Sequence, residues 1–284
     1  MTRHLEVQNR MRKSYSALPQ NQKKIADFFI DNLDLIPFLS VHEAAKATST
    51  SVASIVRFSQ RVGYEGYSDM REQIGRVIQK HLRKESLFPV SQKKVLKGDT
   101  LASVATQDIG NINQTLGLIE RETFDHVIDS ILRSERVFTV GLGISFLMAQ
   151  ILAYQLNQIG VQAVSLRHGS TSFAEQSLYF GKNDLIVAFS FPPYSKETIE
   201  VAKLCHDRRL RVVAITNKST APISFYATNS LIVKSENMLF TNSFAAIAVV
   251  VNAISTECAL KNRSKAEHML RDLNEITKNQ KEVL

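Results

Sequence analysis

"DLIVAFSFPPYSKETIEVAKL", Asp184 to Leu204, is the stretch on which the reading of the fold turns. Its first half is a short apolar run that ends in Ser190. From Ser195 it takes the polar start and apolar spacing of a helix. A buried strand feeding a helix through a hydroxyl-bearing loop is the unit from which parallel sheets are built. Such loops commonly hold phosphate, because the first N–H groups of the helix are open. Pro192 and Pro193 stand against that reading, since proline has no N–H to offer.

Outward from this stretch the same alternation recurs. "RVFTVGL" (136–142), "QAVSL" (162–166), "RVVAITN" (211–217) and "SLIVKS" (230–235) are four more short β-rich runs. At least three of the five runs lead into helix-like segments, which predicts βαβ units and a parallel sheet covered on both faces. The first run opens into "GLGIS", a Gly-x-Gly-x-Ser turn. Gly141 and Gly143 let the backbone approach a ligand closely, and Ser145 stands where a helix N-terminus favours an anion. Phe146 occupies the third position of a dinucleotide fingerprint, which excludes that motif. Ser190, Tyr194 and Ser195 supply further hydroxyls, and the polar loop "LRHGSTSFAEQ" adds Ser170, Thr171 and Ser172. His168 and Glu175 in that loop read as structural residues near a helix start. A long last helix is expected from about Asn242 past "STECALKNRS", with a polar tail after it.

Up to about Gly75 the periodicity is helical instead. Ile25, Phe28, Phe29, Ile30, Leu33, Ile36 and Leu39 recur at spacings of three and four. Ser40 with Glu43 fits a capping box, "TST" is a tight polar turn, and Ser51 is placed to cap a second helix that Gly63 ends. Two short helices about a three-residue turn describe a helix-turn-helix. On the second helix Ile55, Phe58 and Val62 share the inward face. Ser51, Ser54, Arg57 and Arg61 share the other, the residue types that contact bases and phosphates.

The charge agrees with this division. The net charge is +8, and residues 1–97 carry 17 Lys/Arg against 9 Asp/Glu while residues 98–284 carry 18 of each. All of the excess therefore lies in the first third, which points to an anionic polymer as the partner of that part alone. Two cysteines and scattered histidines offer no disulfide framework or zinc spacing, so no metal or cofactor is expected. The longest apolar run, Phe244–Ile254, is too short to cross a bilayer, and the first residues have no apolar signal core. A cytoplasmic protein without a membrane partner is expected.

"LPQNQKKIADFFIDN" and "SVASIVRFSQRVGYEGYSDMR" carry a resemblance to the RpiR/MurR-type bacterial transcriptional regulators. The positions that match are Ser51, Ile55, Val56, Arg57, Phe58, Gly63, Tyr64, Gly66 and Tyr67. The second half, through Gly141, Gly143 and Ser145, resembles a SIS (sugar isomerase) domain. That likeness implies a five-stranded parallel sheet between helix layers, with ligands at the carboxyl ends of the strands. The sugar-phosphate loop of many such domains reads Ser-x-Ser-Gly-x-Thr-x-Glu. On that frame Ser190 and Glu197 match, Ser195 replaces the Thr, and Pro192 and Pro193 displace a Ser and a Gly.

The expected organisation is a helix-turn-helix domain over 1–80, a linker over 81–105 and a SIS-like α/β three-layer domain over 106–284. The expected function is a non-enzymatic transcriptional regulator, a homodimer or homotetramer. It binds double-stranded operator DNA and responds to a small-molecule effector, a phosphosugar or other anion. The alternatives are a SIS-family sugar-phosphate isomerase or lyase, and a regulator that senses an unphosphorylated carboxylate.

Overall fold

The computed structural model describes residues 2–84, 99–238 and 241–280 of the 284-residue chain. The chain divides into two compact units, Met1–Pro89 and Val90–Leu284. The first is helical: α1 (Thr2–Ser14), α2 (Gln20–Asp31), α3 (Val41–Ala47), α4 (Val52–Arg61) and α5 (Tyr67–Lys84). Its core is aromatic at the centre, where the Phe29 ring meets Phe58 edge-on at 5.6 Å and Tyr67 at 6.2 Å. The buried Tyr67 hydroxyl donates to Leu39 O (3.0 Å), and burial pushes its pKa up.

The turn between α3 and α4 is built from local hydrogen bonds. Ser40 and Glu43 form the expected capping box. At the other end of α3, Thr48 Oγ1 donates to Ala44 O (2.8 Å) and lies 2.8 Å from Thr50 Oγ1. Ser49 takes a φ of +51°, and its N–H and that of Thr50 bond back to Lys46 O and Ala45 O. This is a Schellman closure with serine in the left-handed position usually given to glycine. Gly63, φ +92°, closes α4 in the same way, with Tyr64 N–H reaching Ser59 O (3.0 Å).

The second unit opens with α6 (Thr100–Leu118) and α7 (Arg121–Leu132). Strands and helices then alternate: β1 (Val137–Val140), α8 (Ile144–Gln158), β2 (Ala163–Ser165), α9 (Phe173–Ser177), β3 (Leu185–Ser190), α10 (Lys196–Asp207), β4 (Arg211–Thr216) and β5 (Asn229–Ile232). The five strands are parallel, in the order β2-β1-β3-β4-β5, with Val137 opposite Leu185 and Ala188 opposite Ala214. Successive strand residues face opposite layers. Val187 and Phe189 join the core formed with α7, α8 and α11 (Ala245–Lys261), and α10 covers the other face. At the far end of β3, Asp184 is buried and paired with Arg136 at 2.7 Å.

One expectation needs correction. The long helix begins at Ala245, close to its expected start, but it stops at Lys261 and does not run past "STECALKNRS"; Asn262, with φ −125° and ψ 49°, breaks it. The polar residues after the break form a further helix, α12 (Arg263–Gln280). A polar helix persists there because Ala266 is buried, Lys265 and Met269 close over Gly160, and Arg263 bonds Glu267 one turn on (2.7 Å). The linker expected over 81–105 falls mainly on 85–98, outside the described residues; α5 runs to Lys84 and α6 starts at Thr100. Among the described residues no helix is long and apolar enough to cross a membrane.

Candidate functional site

Two places gather chemistry-bearing side chains. The first is the outer face of α4. Ile55, Phe58 and Val62 are buried, as their spacing predicts, and this turns Ala53, Arg57, Gln60 and Arg61 to the surface. Arg57 has no ion pair to any described residue. Arg61 is held differently: its Nη1 donates to Gln22 Oε1 on α2 (3.1 Å), so it ties α4 to its support as well as presenting charge. Ser51 and Ser54 form the cap itself, with Ser51 Oγ accepting from Ser54 N (3.2 Å) and lying 2.9 Å from Ser54 Oγ. Ala53 and Gln60 escaped the sequence reading because neither is charged or capping; the burial of their neighbours identifies them.

The second place is the carboxyl end of the sheet. The strand order reverses between β1 and β3, and in open α/β sheets the crevice at that switch point is where ligands lie. A cavity of about 370 Å³ sits there. It is walled by Leu142–Ser145 after β1, by Phe189–Pro193 and Ser195 after β3, and by Thr241 and Asn242 ahead of α11. The size suits a small metabolite.

The expected residues play unequal parts. Ser145 and Ser190 line the cavity, and Ser190 is only 2% exposed with a hydroxyl that has no hydrogen-bond partner among the described residues. Ser195 lines it too, while its Oγ accepts from Thr198 N (3.2 Å) as the cap of α10. Gly143 lines it with φ +61° and ψ −130°, a backbone that side chains disfavour. Gly141 does not line it; a Cβ there would fall 2.7 Å from the Ser145 carbonyl, so glycine is what lets α8 close over β1. Tyr194 is also outside the wall, its hydroxyl donating to Asn217 Oδ1 after β4 (2.9 Å).

Ser170, Thr171 and Ser172 do not line this cavity either. Ser172 and Glu175 form a capping box for α9, and the bonds from the Ser172 N–H and hydroxyl hold the Glu175 carboxyl low. His168 Nε2 lies 3.0 Å from Glu197 Oε2. Lys196 is exposed and pairs with Glu200 at 3.4 Å. Burial pushes both Cys205 and Cys258 thiols up to about 12, so neither is a thiolate near neutral pH. Thr241 and Asn242 went unpredicted, since nothing local in "TNS" marks a wall fifty residues from the loop it meets. The cavity is therefore lined by hydroxyls, one amide and apolar groups; no carboxylate, histidine, lysine or arginine is among its described lining residues.

A helix-turn-helix with an exposed arginine-bearing helix, joined to an α/β domain with a cavity at its switch point, defines a two-domain transcriptional regulator. Residues 5–81 match the helix-turn-helix domain of the rpiR family and residues 130–256 match the SIS domain. The chain belongs to the RpiR-type regulators. It is 25% identical over 232 residues to a protein of Haemophilus influenzae named an uncharacterized HTH-type transcriptional regulator, covering 80% of this chain and 79% of that one. The sugar isomerase domain of an RpiR transcription factor from Sphaerobacter thermophilus superposes with a TM-score of 0.60 at 26% identity, over 62% of this chain and 98% of that one. The Vibrio vulnificus NanR protein, solved in complex with ManNAc-6P, shares the fold with a TM-score of 0.63 at 22% identity, over 96% and 98% of the two chains.

Proposed function

We propose that this regulator binds its operator through α4 and that a small phosphorylated sugar in the switch-point cavity sets its affinity for that operator. The observation that carries the reading is Ser190. Ser190 is 2% exposed, its buried hydroxyl has no partner among the described residues, which is costly to keep, and the residue lines a cavity onto which the first turn of α8 also opens. A ligand oxygen that reaches this hydroxyl satisfies it. The likeness to NanR, whose complex holds a hexosamine phosphate, supports the phosphorylated class.

The reading is non-enzymatic. Isomerising or cleaving a sugar phosphate needs a group that moves a proton within hydrogen-bond reach of the substrate. The described walls of the cavity hold no carboxylate, histidine or lysine. A homodimer or homotetramer in the cytoplasm fits the need to place two reading helices on paired half-sites, because one such domain covers little DNA.

Pro192 and Pro193 favour a second reading. Both line the cavity, joined by a cis bond, where the resembled loop has two N–H donors and a hydroxyl. An unphosphorylated carboxylate needs fewer donors than a phosphate dianion.

The test is recovery of genomic fragments bound by the full chain at near-physiological salt. The enriched operator is then titrated with hexose 6-phosphates, N-acetylmannosamine 6-phosphate among them, with the same sugars unphosphorylated, and with small carboxylates. A shift in operator affinity by the phosphates alone supports the first reading, and a shift by carboxylates the second. Enrichment of no site, or turnover of any sugar phosphate, overturns both.

A further inference from the structure

We infer that α6 is the element through which the state of the cavity leaves the α/β unit, with Asn242 and Asp108 as the positioning residues that connect them. This rests on the cavity being the effector site, as proposed above. Asn242 is a wall of the cavity and also one half of a clamp: its Nδ2 donates to Pro192 O, and its Oδ1 accepts from Ser235 Oγ (3.1 Å). The next residue, Ser243, donates through Oγ to Asp108 on α6, and its N–H bonds Ser235 O (3.0 Å). Any ligand that moves the Pro192 loop therefore pulls on a segment bonded directly to α6.

The contact continues along that helix. Asp108, Asn111 and Thr115 are spaced by three and four, so they share one face of α6. Thr115 Oγ1 accepts from Lys234 N (2.9 Å), and Asn111 Nδ2 donates to Glu236 O (2.7 Å). Three polar side chains thus bind the segment after β5 in register, and Asn111 and Thr115 are almost wholly buried. Apolar residues would hold a helix to its own core more cheaply; buried polar contacts define one register of one element against another.

That register is not fully satisfied. Asn111 is 0% exposed, yet its Oδ1 has no hydrogen-bond partner among the described residues. A buried acceptor left unmet lowers the preference for this arrangement over one in which α6 is displaced along the stripe. Two arrangements close in free energy are what a ligand needs in order to bias either. By chain order, α6 is also the first described helix after the helix-turn-helix unit. Its position is thus the natural output of the α/β unit.

Hydrogen exchange on the full-length protein, free of ligand and DNA, tests the coupling. Asp108→Ala is expected to speed exchange about tenfold at residues 189–195, across the cavity wall from the substitution. Asn242→Ala is expected to do the same at residues 106–116, and the double variant to add nothing further at either place. Asp108→Asn, which keeps an oxygen acceptor, should restore exchange near that of the parent, and it guards against a misfolded alanine variant. Exchange that changes only in the element carrying each substitution overturns the inference, as do additive effects in the double variant. In a second arm N-acetylmannosamine 6-phosphate is added to the parent and to Asp108→Ala. Binding by both, with a change of operator affinity at least about fivefold smaller in the variant, is the expected result. Failure of the parent to bind this probe removes N-acetylmannosamine 6-phosphate as the effector, and the ligand-free exchange pair still decides the coupling.

Discussion

The outer face of α4 and the switch-point cavity present polar groups in opposite ways. On α4 the arginines stand in solvent on a rigid helix whose inner face is wholly buried, so the site is complete before any partner arrives. In the cavity the polar groups are withdrawn and uncharged among the described walls, and one is left without a partner. The first arrangement suits a long, charged polymer met at a surface, where attraction acts at a distance. The second suits a small molecule that must be surrounded, where short-range hydrogen bonds distinguish one ligand from another.

Ionic strength separates the two most sharply. Operator affinity of the full chain is expected to fall about 10³-fold between 50 and 200 mM salt if some six phosphates are neutralised. Effector affinity in the same buffers should change less than about threefold, since no charged side chain is among the described residues that line the cavity. Equal salt slopes in fluorescence titrations of both ligands would erase the contrast.

Substitution of one arginine at a time sharpens the picture of the reading face. Arg57→Ala should weaken the operator complex by about 1–3 kcal/mol, roughly 5- to 150-fold, with the thermal transition unmoved. Arg61→Ala should lower stability as well, because its bond to Gln22 is lost. The reverse assignment, with Arg61 affecting DNA alone, would relocate the reading face.

In the cavity Ser190→Ala carries a two-sided signature. Effector affinity should drop by about 1–2 kcal/mol, while the empty protein gains stability because an unmet buried hydroxyl is gone. Calorimetric binding and a denaturation curve read the two sides. Loss of stability without loss of affinity would place the ligand elsewhere.

The smallest effect concerns the turn that sets α4. Ser49→Gly relieves a left-handed serine and should raise the stability of the helical unit by about 0.5 kcal/mol, read from the denaturant midpoint. A fall would mean that the serine side chain stabilises the turn more than its backbone strain costs.

The two sites were also unequally legible. α3, the turn and α4 follow from neighbours in the chain: Ser40 with Glu43, Ser51 with Ser54, Gly63 after Val62. Caps, turns and a 3.6-residue period are local, so the sequence alone decides which face of α4 is buried and which is offered. The five strands were legible for the same reason, each being a short apolar run between breakers. Ser145 and Ser190 could be picked out as hydroxyls beside strand ends, but Tyr194 in the same loop turned to Asn217. Nothing in a linear pattern states which way a side chain leaves a loop.

What the sequence by itself determined is the order and kind of elements, the basic first third, and the helix-turn-helix down to its caps. What only the tertiary structure decided is the strand order that opens a crevice between β1 and β3, and the arrival of Thr241 and Asn242 at its wall. The same holds for the break at Asn262 and the packing that keeps α12 helical. The physical reason is range. Backbone preference and capping act over a few residues, whereas a cavity is the space left where segments far apart in the chain are held by a shared core.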